Sequence, residues 1–90
     1  MSPDDRFRIT PDVHARVFDG ETVLVDLRKG DYFGLNELGG KLWEGLVLGK
    51  SPREIAQSLE GTLDVAPDQL LTDLVALARE LAERGLIVAG

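Results

Sequence analysis

Apolar and polar residues alternate along two short stretches near the start of the chain. In VHARVF, residues 13–18, every second residue is Val or Ala, and the same period of two recurs in ETVLVDL, residues 21–27. This period is typical of a strand with one buried face. Asp19-Gly20 between the stretches and Gly30 after the second are typical of tight turns. The pattern predicts a three-stranded antiparallel meander over about residues 13–18, 21–28 and 31–35.

After residue 35 the apolar residues recur at the spacing of three and four that is typical of helices. Asn36 stands at an N-cap position, SPRE at residues 51–54 has the composition of a capping box, and Pro67 opens a third periodic segment. Each helix is followed by a glycine that suits a C-terminal cap, at Gly49, Gly61 and Gly85. The apolar residues 86–88 are expected to fold back as a tail or a short strand. The predicted fold class is α+β and winged-helix-like: a three-stranded antiparallel sheet followed by three helices (βββααα).

The length of the chain, 90 residues, allows one small domain. Residues 1–10 are rich in polar residues, with Phe7 and Ile9 as their only apolar anchors. We expect a flexible N-terminal arm over residues 1–10 and a single domain over residues 11–90. No segment approaches the roughly 20 apolar residues that cross a bilayer, and the N-terminus has no apolar run. The expectation is a cytoplasmic protein without a membrane partner.

The sequence offers little for catalysis. It has no cysteine, so disulfides and sulfur ligands for metals are excluded, and its single histidine, His14, lies on a predicted strand without a second histidine. Ser51 serves as a cap and Ser58 has no base nearby, so a nucleophilic triad is not predicted. We also find no glycine-rich phosphate loop. The sequence predicts no enzyme activity, no metal and no cofactor.

The charge of the chain argues against a nucleic-acid partner. The formal net charge is −6, with 10 Lys and Arg against 16 Asp and Glu. Binding to nucleic acid depends largely on positive side chains that neutralise phosphates. The polar face of the third helix, which would be the DNA-reading helix of a winged helix, carries more acidic than basic residues. We therefore predict no nucleic-acid binding.

A peptide is the better partner for this arrangement. The third strand, residues 31–35, is expected to pair on one side only, so its other edge offers free backbone donors and acceptors. The third helix has a wider apolar face than one stripe requires. An extended peptide could share the strand edge with this flank, although the flank could equally pack on the first helix or form a dimer. The predicted peptide-binding residues are Asp31, Tyr32, Phe33, Gly34, Leu35, Leu71, Leu74, Val75, Ala78 and Ala82.

Two adjacent glycines, Gly39 and Gly40, lie inside the first predicted helix. Each costs about 1 kcal/mol relative to alanine in a helix interior. We expect them to let a backbone or a bulky side chain pack closely against the first turn. Their predicted role is structural.

The run DLRKGDYFGLNELGGKLWEGL, residues 26–46, followed by SPREIAQSL and a long third helix, resembles the PqqD-like proteins. These are small recognition elements of pathways that make ribosomally synthesised, modified peptides. The resemblance covers about residues 11–88 and is greatest to the free-standing members found with lasso-peptide precursors. Its most specific part is YFGLN, residues 32–36, followed by Gly39, Gly40 and Trp43.

The resemblance implies a non-catalytic, winged-helix-like protein that binds the leader segment of a precursor peptide. The leader is expected as an added strand on the third strand, beside the third helix. The resemblance also implies a separate enzyme that receives the precursor. In a lasso-peptide pathway this enzyme is a leader peptidase of the cysteine protease class, and in other pathways it is another modifying enzyme. We expect a monomer or a weak dimer. The alternative is a winged-helix transcriptional regulator or a dimerisation module.

Overall fold

The computed structural model of the chain describes residues 1–62 and 64–90. It has an α+β architecture with a three-stranded antiparallel sheet and three helices, so the predicted fold class is confirmed. The elements, in chain order, are β1 (Phe7–Ile9), β2 (Val13–Phe18), β3 (Glu21–Asp26), β4 (Asp31–Leu35), α1 (Glu37–Val47), α2 (Pro52–Leu59), α3 (Pro67–Glu83) and β5 (Ile87–Ala89).

The main sheet has the strand order β2-β3-β4, as the alternating pattern predicts. The turn between β2 and β3 places Asp19 at φ 50° and Gly20 at φ 82°, the left-handed values that a two-residue hairpin turn requires. β3 ends at Asp26, two residues before the predicted end. The reason is local, because the Asp26 carboxylate accepts hydrogen bonds from the backbone and side chain of Arg28 and so begins the turn.

A second, two-stranded sheet was not predicted. β1 pairs antiparallel with β5, and Arg8 lies opposite Val88. Phe7 is buried, and the Thr10 hydroxyl donates a hydrogen bond to the Gly85 carbonyl at 2.6 Å. The predicted flexibility of residues 1–10 stays a prediction, but three of these residues form a strand that joins the two ends of the chain.

The helix caps follow the sequence signals. Asn36 Oδ1 accepts a hydrogen bond from the Gly39 backbone N–H at 2.8 Å, so β4 passes into α1 through the cap residue itself. Ser51 and Glu54 form the predicted capping box at α2. α3 has Ala66 at its N-cap, with no capping side chain, and Pro67 at its first position. The rigid junction at Asn36 fixes the end of β4 relative to α1.

The helices cover one face of the main sheet. Leu24 and Leu35 point from the sheet into the core, where they meet the buried faces of all three helices. The adjacent glycines of α1, Gly39 and Gly40, allow this contact. A Cβ on Gly39 would lie 3.0 Å from Leu35 Cδ2, and one on Gly40 would lie 3.2 Å from Thr22 Oγ1. The close packing expected at these glycines is therefore observed against the protein's own strands.

Candidate functional site

β4 is an edge strand of the main sheet. It pairs with β3 on one side, and among the described residues no strand pairs with its other side. Half of the backbone N–H and C=O groups of an edge strand point away from the sheet and can pair with another chain. The unpaired edge is five residues long, which corresponds to about 16 Å.

α3 lies beside this edge and runs in the opposite direction. Arg84, after the last turn of α3, has its guanidinium 4.5 Å from the centre of the Phe33 ring in the middle of β4. Asp73, near the start of α3, lines the same cavity as Leu35 and Asn36 at the far end of the strand. The two elements therefore form the walls of one groove, lined by residues 33–35 of β4 and by residues 73, 76 and 77 of α3.

The groove has a volume of about 430 Å³. Most of its lining side chains are apolar, with an amide and a carboxylate at the Asn36 end. The lining residues are Phe33, Gly34, Leu35, Asn36, Leu38, Asp73, Ala76 and Leu77. An apolar trough with an unpaired strand edge as one wall is the arrangement that accepts an extended peptide as an additional strand.

Of the predicted strand residues, Phe33, Gly34 and Leu35 line this groove, whereas Asp31 and Tyr32 do not. Leu35 is buried and Phe33 is half-buried, and both face the helices. Tyr32 and Gly34 point to the opposite face of the sheet, where the Tyr32 side chain is 75 % exposed. Asp31 begins the strand opposite Asp26. A Cβ on Gly34 would meet no atom within 4 Å, so the face of the sheet opposite the helices is open at this position.

The helix half of the predicted site does not line this groove. Leu74 and Ala78 are fully buried core residues, and Leu71 and Ala82 pack against the core. Val75 is half-buried and does not line the groove. At 100° per residue, these positions lie on the flank of α3 that points away from β4. The groove residues of α3 are Asp73, Ala76 and Leu77.

Sequence reasoning missed these three residues for a physical reason. The periodicity of a helix identifies its apolar stripe, but either flank of the stripe can face a given strand. In addition, Asp73 is charged and Ala76 is small, so neither residue stands out in an apolar pattern. The antiparallel course of α3 beside β4 would have identified them. That course is a feature of the tertiary fold and has no signal in the sequence.

The groove has a closed end near Asp31, where Arg84 packs on Phe33. Charged side chains hold this end in place. Arg28 binds the buried carboxylate of Asp26 through two hydrogen bonds, at 3.1 Å from Nε to Oδ1 and 3.0 Å from Nη2 to Oδ2. These bonds lower the pKa of Asp26 below its ordinary value. Arg28 Nη2 also donates to the Gly85 carbonyl at 3.3 Å, and Lys29 Nζ donates to the Arg84 carbonyl at 3.4 Å. The turn before β4 is thus tied to the C-terminal end of α3.

At its other, open end, beside Leu35 and Asn36, the groove continues into a second cavity of about 280 Å³. The two cavities share Asn36, Leu38 and Asp73. The second one is bounded on its far side by the loop before α3. Its lining residues are Asn36, Glu37, Leu38, Asp64, Val65, Leu70 and Asp73.

The described residues offer neither a metal site nor a membrane-spanning helix. Across 1–62 and 64–90, no group of three or more His, Cys, Asp or Glu side chains is placed to hold a metal ion. No helix in the described part of the chain is long and apolar enough to cross a membrane. The groove between β4 and α3 is therefore the candidate site that the structure supports.

Comparisons with known proteins identify a family and two similar solved structures. Residues 21–87 match the family described as coenzyme PQQ synthesis protein D (PqqD). The chain is similar to the solved structure of TbiB1 in complex with the TbiA(beta) leader peptide, with 34 % identity over 89 % of this chain and 93 % of that one and a TM-score of 0.80. It is also similar to lasso peptide synthetase B1 complexed with the leader peptide, with 32 % identity over 91 % and 96 % of the two chains and a TM-score of 0.84. A search of curated proteins finds no match.

Proposed function

Because the chain belongs to the PqqD family, we propose that it is a recognition protein that binds the leader segment of a ribosomally made precursor peptide. The observation that carries the proposal is the unpaired edge of β4 facing an apolar groove along α3. Two solved structures with at least 32 % identity to this chain are themselves complexes with a leader peptide, which supports the same role here.

In the proposed complex the leader joins the main sheet as a strand antiparallel to β4. Main-chain hydrogen bonds to the strand edge supply affinity that does not depend on sequence. Because side chains alternate along a strand, every second leader residue enters the groove. Those residues contact Leu38, Ala76 and Leu77, which favour apolar side chains, and they give the complex its specificity.

The protein acts on the precursor by presenting it and carries no catalytic residues of its own. We propose that its second partner is a separate processing enzyme, a leader peptidase of the cysteine protease class in a lasso-peptide pathway. This step is supported by the resemblance to free-standing members found with lasso-peptide precursors. A carrier of this kind must also release its cargo, which suits a Kd between about 10 nM and 1 μM.

The test is a titration of isotope-labelled protein with the leader region of the precursor peptide encoded beside its gene, followed by backbone amide NMR. Saturable shifts concentrated in residues 31–38 and 73–77 are expected. A folded protein that shows no shifts with this leader would refute the proposal. If the edge of β4 instead pairs two copies, the same residues would broaden with protein concentration in the absence of leader.

A further inference from the structure

The cavity beyond the Leu35 end of the groove has two chemically different parts. Its inner surface is apolar, formed by the buried side chain of Leu70, the half-buried Leu38 and the partly exposed Val65. Three acidic residues line its rim: Glu37 on α1, Asp64 in the loop before α3 and Asp73 on α3. A side chain that fits both parts has an apolar stem and a polar head.

The three rim carboxylates lack cationic partners within the described residues. The ion pairs found there involve other acidic residues, namely Asp4, Asp26, Glu54 and Glu80. Asp73, which is half-buried, accepts a hydrogen bond from Gln69 Nε2 at 2.8 Å, and this neutral donor leaves its charge in place. Asn36 Oδ1, also on this rim, already accepts the Gly39 N–H in the helix cap.

The nearby helix ends reduce this negative charge but do not cancel it. Both α1 and α3 begin at this cavity, and the N-terminus of a helix carries an effective charge of about +0.5. Two such ends oppose three full negative charges, so the cavity has a net charge of about −2 by this count. A positive charge on the occupant is therefore favoured over a neutral or negative one.

The direction of the peptide decides which residue reaches this cavity. A strand antiparallel to β4 runs from the Leu35 end towards the Asp31 end. The cavity lies beyond Leu35 and shares Asp73 with the groove, so it receives the leader residue just before the segment that pairs with β4. A Lys or Arg side chain suits it, because such side chains lay their methylene groups on apolar surface while the charged head stays at the rim.

We propose that this cavity is a specificity subsite for a lysine or arginine of the leader, located immediately N-terminal to its β4-pairing segment. The proposal rests on the proposed function, since it assigns a leader residue to a place in the same groove. The cationic head lies between Glu37, Asp64 and Asp73, and the stem lies on Leu38, Val65 and Leu70. The subsite fixes both the register and the direction of the leader on the strand.

The experiment measures the Kd of the precursor leader by fluorescence anisotropy for the intact protein and for the triple variant Glu37→Gln, Asp64→Asn, Asp73→Asn. A control variant removes three exposed carboxylates that do not line either cavity, with Asp19→Asn, Glu21→Gln and Glu60→Gln. The same set is titrated with a leader in which the basic residue before the pairing segment is replaced by norleucine. Circular dichroism establishes that each variant is folded.

The expected result is a loss of affinity of about 5- to 30-fold for the triple variant and a loss of less than about 2-fold for the control. Norleucine should weaken binding to the intact protein by a similar factor and have little further effect on the triple variant. A leader without Lys or Arg at this place, or equal losses in the two variants, would overturn the subsite while leaving leader binding intact. Failure of the unmodified leader to bind the intact protein would instead refute the proposed function.

Discussion

Arg84 and Phe33 join the two walls of the groove. The guanidinium of Arg84, which follows the last turn of α3, lies 4.5 Å from the centre of the Phe33 ring on β4. Arg84 Nε is also 3.5 Å from Glu80 Oε1, one turn earlier on the helix. Cation–π contact across the groove therefore sets the distance between the edge strand and α3 at its closed end.

Replacement of Arg84 by alanine should weaken both the fold and leader binding. Loss of a partly exposed cation–π contact is expected to lower the free energy of unfolding by about 0.5–1 kcal/mol, measured by urea denaturation. We expect the Kd of the leader to rise as well, because the closed end of the groove becomes wider. Arg79→Ala, an exposed arginine of α3 away from Phe33, is the matched control. An equal effect of the two changes would show that Arg84 acts only as a general positive charge.

A pair of adjacent residues on α3 distinguishes the observed groove from the one predicted by periodicity. Ala76 is exposed and lines the groove, whereas Val75 is half-buried on the other flank. Ala76→Glu places a longer, charged side chain in the path of the leader, so we expect at least about a tenfold loss of affinity. Val75→Asp should cost about 1 kcal/mol of stability and leave the Kd nearly unchanged.

The measurement for this pair is isothermal titration with the precursor leader at a temperature where both variants are fully folded. The peptide-binding residues predicted from the sequence require the opposite order of affinity losses, with Val75→Asp abolishing binding. That order would place the leader on the flank of α3 that carries Val75 and would contradict the groove described above.

The accuracy of the sequence-based predictions depends on how far apart along the chain the interacting residues are. The Asn36 cap, the Ser51–Glu54 capping box and the hairpin turn at Gly20 depend on neighbouring residues, and each was predicted. Pairing of β1 with β5 joins residues at opposite ends of the chain, and two three-residue strands have too little periodicity to reveal it. The flank of α3 that lies beside β4 also depends on tertiary packing, which the period of the helix does not fix.

Gly45 should be required for the packing of α1 against α2. A Cβ at this position would overlap the side chain of Ile55, which is fully buried and has no room to move. We expect Gly45→Ala to be destabilising by about 1–2 kcal/mol, because overpacking outweighs the gain of about 1 kcal/mol in helix propensity. Urea denaturation monitored by the fluorescence of Trp43 gives the value.

Gly40→Ala is the internal control for this change, because it makes the same substitution in the same helix. Its added Cβ would lie 3.2 Å from the Thr22 hydroxyl oxygen, and that side chain can rotate away. We expect Gly40→Ala to be neutral or to stabilise the fold by up to about 1 kcal/mol. A loss as large as that of Gly45→Ala would mean that the sheet cannot accommodate any side chain on this face of α1.

The buried carboxylate of Asp26 should make the protein sensitive to acid. Its hydrogen bonds from Arg28 lower its pKa in the folded state, so the folded protein binds a proton less readily than the unfolded chain. The stabilisation from this pair is fully present above the ordinary carboxyl pKa of about 4 and is lost as pH falls through the lower folded value. Glu54 contributes in the same direction, since the backbone N–H of Ser51 and then Arg6 lower its pKa.

The variant Asp26→Asn separates the contribution of Asp26 to acid sensitivity from that of Glu54. At pH 7 this variant should be less stable than the parent protein, because Arg28 loses its charged partner and the turn before β4 is no longer tied as firmly to α3. Between pH 7 and pH 3 its urea midpoint should fall less steeply than that of the parent, and Glu54→Gln should remove a further part of the slope. Equal slopes in Asp26→Asn and the parent would show that Asp26 has the same pKa in the folded and unfolded states.

Since Arg28 also bonds to the Gly85 carbonyl, weaker leader binding by Asp26→Asn at pH 7 would link this buried pair to the geometry of the groove.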